Sequence, residues 1–317
     1  MSRAISAPWT GGAPLSVAVT LAGMLRAARP HQWAKNFLLL LPAVLAHETD
    51  PAAWLRAAIG FAAFSCCASA VYVLNDLFDI EADRAHPQKR HRPFASGAVS
   101  ESVGRVMTAV LLAVAASLSF SLLPLSFLGL LGIYLAANVA YSTRLKRMPI
   151  IDVMMLAGMY SLRVEAGSLA TGVALSPWML AFCLFFFTSL AFAKRYTELR
   201  RIDAEGGSAA AGRGYRVDDV EILESLGTAS GYVAVLVLAL YMNSDQMRSL
   251  YGESRILWLV CPLVMYWITR LWLLARRGEL DEDPVVFAMH DHGSLFVASA
   301  CAGLVVVAAC MARAVGT

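Results

Sequence analysis

Along the chain, apolar residues gather in long runs parted by short charged stretches. Nine runs, at roughly 33–47, 53–75, 103–122, 124–142, 150–171, 176–194, 227–243, 255–275 and 293–313, predict membrane-spanning helices. Several are short for a hydrocarbon core of about 30 Å, which implies tilt or thin packing. Pro42 interrupts the first run, and Pro124 marks the junction of the third and fourth. The connections Glu48–Pro51, Ser121–Pro124 and Gly172–Ser176 are short, whereas the alternate ones are long and charged. Glu205–Gly214, EGGSAAAGRG, is low in complexity and reads as a flexible loop. Residues 1–28 read as a flexible or interfacial arm, and 29–317 as one transmembrane domain. The stretch Leu15–Leu25 is broken by Ser16, Thr20 and Gly23, too weak for the core of a signal peptide.

Composition agrees with the pattern: 58% hydrophobic residues, 15% charged and a mean hydropathy of +0.61 exclude an ordinary soluble domain. The fold class is therefore all-α, a polytopic membrane bundle. The six cysteines lie inside apolar runs without CxxC spacing and read as small buried hydrophobes. The net charge of +3 is small, but its placement carries information. Of 26 Lys and Arg, 21 fall in the arm, its edge, and the segments after the second, fourth, sixth and eighth runs. The positive-inside rule then puts the N-terminus in the cytoplasm and the C-terminus outside. Glycine fingerprints for dinucleotides, P-loops and GxSxG elbows are absent from the sequence, which removes the main support for nucleotide-triphosphatase and hydrolase classes.

The densest polar chemistry is Asn75–Arg92, NDLFDIEADRAHPQKRHR. Asn75, Asp79 and Asp83 stand at i, i+4 and i+8, so a helix stacks them on one face, with Asp76 and Glu81 off that line. Hard oxygen ligands in such a stripe suit Mg²⁺. Arg84, Lys89, Arg90 and Arg92 follow, and acids succeeded by bases suit a metal-bound diphosphate. Near the first run, RPHQWAKN places Arg29, Lys35 and Asn36 at the boundary, with Trp33 expected as an interfacial anchor. Asp152, Tyr160, Arg163 and Glu165 sit within or near the fifth run, where an arginine is costly unless it meets a polar cavity. Residues i and i+2 point apart on a helix, so Arg163 is expected to meet another helix or a substrate anion rather than Glu165. Lys146 lies after the fourth run, and AKRYTEL adds Lys194, Arg195 and Glu198 on the same side. In DEDPVVFAMHDHGS, residues Asp281, Glu282, Asp283, His290, Asp291 and His292 have no zinc-site spacing.

The motif NDLFDIEAD, Asn75–Asp83, in a chain of about nine spans, resembles the UbiA superfamily of intramembrane prenyltransferases. RPHQWAKN, NDLFDIEADRAHPQKRHRPFASG, YSLRVEAG and AKRYTEL look closest to its decaprenyl-phosphate phosphoribosyltransferase branch. The resemblance implies a UbiA-like bundle with a cytoplasmic-face site in a bacterial inner membrane. It implies Mg²⁺ on Asn75, Asp79 and Asp83 with Asp76 assisting, a phosphoribosyl pyrophosphate donor and a polyprenyl-phosphate acceptor. The product would serve ribose- or arabinose-lipid donors for envelope glycans. Lys35, Arg84, Lys89, Arg90, Arg92, Lys146, Asp152, Tyr160, Arg163, Lys194, Arg195 and Glu198 are the implied substrate-binding residues. Aromatic-acceptor prenyltransferases of the superfamily usually carry a second Asp-rich motif where this chain has Lys194–Glu198, which disfavours a prenyl diphosphate donor. That chemistry stays the alternative. A transporter is disfavoured because polar residues concentrate at one face rather than at mid-membrane. No nucleic-acid partner is expected, and self-association stays open.

Overall fold

The computed structural model describes residues 17–210, 212–251, 255–280 and 283–315. The expected arm before residue 17, and Asp281 and Glu282, lie outside these. Among the described residues the fold is helical, with one isolated bridge between Ala209 and Arg216. In chain order the helices are α1 (Val17–Ala28), α2 (Leu41–Leu45), α3 (Pro51–Phe78), α4 (Ile80–Ala85), α5 (Glu101–Leu122), α6 (Leu125–Thr143) and α7 (Ile151–Thr171). They continue as α8 (Pro177–Ala204), α9 (Val220–Met242), α10 (Asp245–Tyr251), α11 (Val260–Arg277), α12 (Pro284–His290) and α13 (His292–Val315).

Among the described residues, seven helical segments are long and apolar enough to cross a membrane: α3, α5, α6, α8, Val217–Met242, Arg255–Arg277 and His292–Ala312. Two of the nine expected runs are not among these seven. The run at 33–47 is a 3-10 segment, Pro30–Leu40, followed by the single turn of α2. Arg29 enters it in a left-handed conformation (φ 50°), and Pro30 and Pro42, which lack an N–H, stand at the first positions of the two pieces. Helix α7 has 21 residues but carries Asp152, Arg163 and Glu165.

Helix α7 tolerates these charges because it lies between two cores rather than against lipid alone. Met159, Ala166 and Ala170 pack with Phe64, Phe127 and Tyr134 of α3 and α6, while Val153, Ala157 and Val164 join Phe187, Tyr196 and Trp272 of α8 and α11. The 3-10 segment presses on it so closely that a Cβ at Gly167 would overlap the Leu39 carbonyl oxygen. Only glycine allows that approach. The half-buried Trp33 is tied to the bundle: its indole N–H donates to Ser69 Oγ at 2.9 Å on α3. Helix α1 packs inward as well, with Ala27 in a small core with Val73, Ile80, Phe94 and Val99. All six cysteines are free; Cys67, Cys183 and Cys261 are buried, whereas Cys310 is exposed.

Candidate active site

Helix α3 ends at Phe78, and a single non-helical residue, Asp79 (φ −99°, ψ 8°), joins it to α4. The backbone still bonds Asp79 N–H to Asn75 O (3.0 Å) and Asp83 N–H to Asp79 O (2.8 Å), so the stripe survives with a bend. That bend separates the fates of its members. Asp76 is buried and paired with Arg29 (2.6 Å) and Arg92 (3.2 Å); Asp83 is buried and paired with Arg92 at 2.9 Å. Arg92 thus cross-links the two buried carboxylates. Asp79 is 39% exposed and faces Lys146 at 3.4 Å.

Beside this motif lies a cavity of about 300 Å³, walled by the 3-10 segment, α3, α6, α7, α8 and the start of α12. Among the described residues, Arg29, Lys35, Arg163 and Lys194 stand on its wall against one carboxylate, Asp283, and Asn75 joins them. Arg163 is buried, and its three hydrogen bonds reach neutral acceptors: Asn36 Oδ1 (3.0 Å), Tyr134 OH (2.9 Å) and Met159 O (2.6 Å). The rings of Phe64, Tyr134 and Tyr160 lie 5.1–5.4 Å from the guanidinium carbon. The expectation that Arg163 looks across to another helix holds, since Asn36 and Tyr134 come from the 3-10 segment and α6. Asn36 is itself fixed by donating to Ser65 Oγ at 2.9 Å.

Lys35 and Lys194 converge on Asp283 Oδ2 at 2.5 and 3.4 Å. Asp283 caps α12, accepting from the Val285 and Val286 N–H groups. Burial alone would push its carboxyl up; Lys194 and Lys35 outweigh that and hold it at about 2. A neighbouring groove of about 410 Å³ is lined mainly by Met154, Met155, Met159, Leu162 and Leu180. Met159 belongs to both walls, so the apolar groove adjoins the cationic cavity.

Of the residues singled out in the sequence, Arg29, Lys35, Asn75, Tyr160, Arg163, Lys194 and Asp283 line the cavity. Asp152, Arg195 and Glu198 form a second polar network, which meets the cavity at Tyr141. Arg195 donates to Asp152 (2.5 Å), Glu198 (2.5 Å) and Tyr141 OH (3.1 Å), and Tyr215 OH donates to Asp152 at 2.5 Å. Arg84, Lys89 and Arg90 are exposed and off the wall, Arg84 donating to the Ala95 carbonyl at 3.3 Å. Tyr72, Tyr134, Asn138 and Tyr141 line the cavity but were not singled out. A signal existed for three of them: Tyr134, Asn138 and Tyr141 recur at i, i+4 and i+7 on an otherwise apolar helix. The loop expected to be flexible is instead pinned near its end, where Arg213 meets Glu198 (3.1 Å) and Tyr215 meets Asp152.

Among the described residues no cluster of three or more His, Cys, Asp or Glu side chains is placed to hold a metal ion. An amide joined to a carboxylate is a different donor set. Asn75 lines the cavity and Asp79 carries a partly exposed carboxylate opposite Lys146; an amide and a carboxylate oxygen are hard donors of the kind a divalent cation takes. Asp83 sits nearby but is engaged by Arg92.

The profile of the UbiA prenyltransferase family matches residues 16–300. The chain is 38% identical over 283 residues to the uncharacterized protein y4nM of Sinorhizobium fredii, covering 88% of itself and only 54% of that longer protein. It is 32% identical over 291 residues to nodulation protein NoeC of Azorhizobium caulinodans, covering 92% of itself and 94% of NoeC. Decaprenyl-phosphate phosphoribosyltransferase of Mycobacterium tuberculosis is 31% identical over 277 residues, 86% of this chain and 89% of that one. In fold, a UbiA homologue from Archaeoglobus fulgidus bound to GPP and Mg²⁺ aligns with a TM-score of 0.66 at 15% identity, over 90% of this chain and 99% of that one.

Proposed function

Because the chain belongs to the UbiA prenyltransferase family, we propose that it transfers 5-phosphoribose from phosphoribosyl pyrophosphate to a polyprenyl (decaprenyl) phosphate, releasing pyrophosphate. The observation that carries this reading is Arg163, a buried guanidinium whose hydrogen bonds all go to neutral groups, beside Lys35 and Lys194 on the same cavity wall. A cation buried in a bundle is costly without an anion. Polyanionic substrates supply one. A second support is the likeness to the mycobacterial phosphoribosyltransferase.

The roles follow from the placement. Arg163, Lys35 and Lys194 bind phosphate oxygens, and the rings around Arg163 keep water from it. Asn36 and Tyr134 orient the guanidinium. Asn75 and Asp79, with Asp83 nearby, would hold Mg²⁺, which when bound neutralises the diphosphate leaving group. The C1–O bond to pyrophosphate breaks as the phosphate oxygen of the lipid forms the new bond to C1. That oxygen is already anionic, so no strong general base is needed. The Met-lined groove receives the polyprenyl chain beside the reacting end. Product would feed cell-envelope ribose- or arabinose-lipid synthesis. The site would face the cytoplasm of a bacterial inner membrane, with the N-terminus on that side.

The same groove also suits a prenyl diphosphate donor and an aromatic acceptor, so the assay is run in two tubes. Purified protein receives labelled phosphoribosyl pyrophosphate with decaprenyl phosphate, or a labelled prenyl diphosphate with 4-hydroxybenzoate. Lipid-linked label is expected in the first. Product in the second tube alone would discard the phosphoribosyl reading.

A further inference from the structure

The tyrosines on the cavity wall are not equivalent. The hydroxyl of Tyr134 accepts from Arg163 at 2.9 Å, and that of Tyr141 accepts from Arg195 at 3.1 Å and Arg213 at 3.3 Å. Tyr160 lies under Lys35, whose Nζ is 5.9 Å from its ring centre. Tyr72 differs. The Arg29 guanidinium covers its ring at 5.2 Å, yet its hydroxyl makes no hydrogen bond among the described residues.

Gln32 lines the same cavity from the 3-10 segment. That segment is moored to α3 one turn before Tyr72: Trp33 donates to Ser69 Oγ at 2.9 Å, and Ser69 donates to the Ala28 carbonyl at 2.8 Å. The Gln32 backbone N–H donates to the Arg29 carbonyl at 2.9 Å. Its side-chain amide, like the Tyr72 hydroxyl, is unbonded among the described residues. Asn75, the amide assigned to the metal, follows Tyr72 by three residues, so α3 sets the two on one face.

Charge sorts what these groups can read. Lys35, Arg163 and Lys194 suit phosphate oxygens, whereas a neutral amide and a phenol, each able to donate and accept, suit neutral hydroxyls. A prenyl diphosphate carries no such hydroxyl. A sugar diphosphate brings them beside the carbon whose bond to the leaving group breaks. With the diphosphate at Asn75 and Asp79, the next part of the donor comes within a helical turn of them, where Tyr72 stands. Packing under Arg29 accounts for the ring of Tyr72 but not for its hydroxyl.

We infer that Gln32 and Tyr72 bind the hydroxyl groups of the donor's sugar, and so favour a sugar diphosphate over a prenyl diphosphate. The inference rests on the phosphoribosyl reading above.

The test uses the full chain purified in detergent with Mg²⁺, and equilibrium dialysis scores binding. The ligands are phosphoribosyl pyrophosphate, its 2-deoxy and 3-deoxy analogues, and inorganic pyrophosphate. Tyr72→Phe keeps the ring and removes the hydroxyl; Gln32→Met keeps the length and removes the amide. Each should weaken phosphoribosyl pyrophosphate about tenfold, roughly what one lost hydrogen bond costs, and leave pyrophosphate unchanged. Wild type should lose about as much on at least one deoxy analogue. In the matching variant that analogue should bind no worse than it does to wild type, because the two missing groups are halves of one contact. Pyrophosphate weakened as much as the sugar ligand, unchanged affinity for the sugar ligand, or losses that add in full for both analogues overturns the inference. If neither variant folds, wild type alone decides: equal binding of the parent and both analogues overturns it. Wild type binding phosphoribosyl pyrophosphate no tighter than pyrophosphate would instead remove the phosphoribosyl donor itself, and this inference with it.

Discussion

Asp283 and Lys35 lie 248 residues apart in the chain and form an ion pair of 2.5 Å on the wall of the main cavity. Lys194 shares the same carboxylate oxygen. Asp283 therefore occupies the ammonium contacts that an anionic substrate would use. Asp283→Asn is expected to tighten pyrophosphate binding by roughly tenfold, because one like charge leaves the cavity. Weaker binding in the variant would show that ordering the two lysines matters more than competing for them.

The same carboxylate gives an acid-side prediction. Its folded-state value, about 2, lies below the unfolded value of 3.8, so its stabilisation is present above the unfolded value and fades as pH falls through the folded one. The size is about 2 kcal/mol. Thermal midpoints of wild type and Asp283→Asn should differ by a constant amount between about pH 5 and 7, and converge as pH falls from about 4 to 2. A difference that vanishes already near neutral pH would contradict the pairing.

For Arg163, the expected loss is in chemistry as well as binding. Arg163→Gln keeps a donor in a polar pocket and removes the charge. Turnover should fall roughly 100-fold or more, the scale seen when one donor to developing charge is lost. Arg163→Lys should not restore it, since a single ammonium cannot reach Asn36, Tyr134 and the Met159 carbonyl in the guanidinium's geometry. Full activity in either variant would remove Arg163 from the site.

Much of this was legible in the sequence, and the physical reason for each success or miss differs. Seven helical segments announce themselves by length and apolarity, because lipid leaves the backbone no other way to satisfy its polar groups. The run at 33–47 is less regular than one α-helix, because prolines at 30 and 42 divide it into a 3-10 segment and a short α-turn packed against α3 and α7. Asn75, Lys35, Arg163 and Lys194 could be found one by one, as polar residues where apolar ones are expected. What brings Asp283 to Lys35 could not be found that way, since its partners stand 89 and 248 residues away and leave no periodic trace. Arg92 is the subtler case. In the sequence it belongs to a basic run, yet it alone of that run bridges Asp76 and Asp83, while Lys89 and Arg90 remain exposed.

Asp79 and Asp83 should fail for different reasons. Asp79→Ala removes a half-exposed oxygen ligand, so turnover should be abolished with the thermal midpoint nearly unchanged. Asp83→Ala strips a buried partner from Arg92 and should cost about 1–3 kcal/mol of stability as well as activity. Raising the Mg²⁺ concentration should not rescue Asp79→Ala. Normal turnover in either variant would remove the metal assignment.

The network around Asp152 makes a prediction about folding rather than chemistry. Ile150, a β-branched residue, is held at φ 66° and ψ −47° in a tight turn closed by Ile151 N–H on Pro149 O, a positive φ that such side chains rarely adopt. Its N–H donates to Tyr215 OH at 2.7 Å, and that hydroxyl in turn donates to Asp152 at 2.5 Å. Burial and the Asp152 carboxylate both push the Tyr215 phenol above its usual range, so it stays neutral and keeps its proton for that bond. Tyr215→Phe leaves the Ile150 N–H and one Asp152 oxygen without this partner, and should cost about 1–3 kcal/mol. Because Tyr215 and Arg213 pin the low-complexity loop, the variant should also be nicked faster by protease within residues 205–214. Ile150→Gly relieves the backbone strain and should recover part of the lost stability in the Tyr215→Phe background. Unchanged cleavage of the loop in Tyr215→Phe would mean that Arg213 alone, through Glu198 and Tyr141, holds it in place.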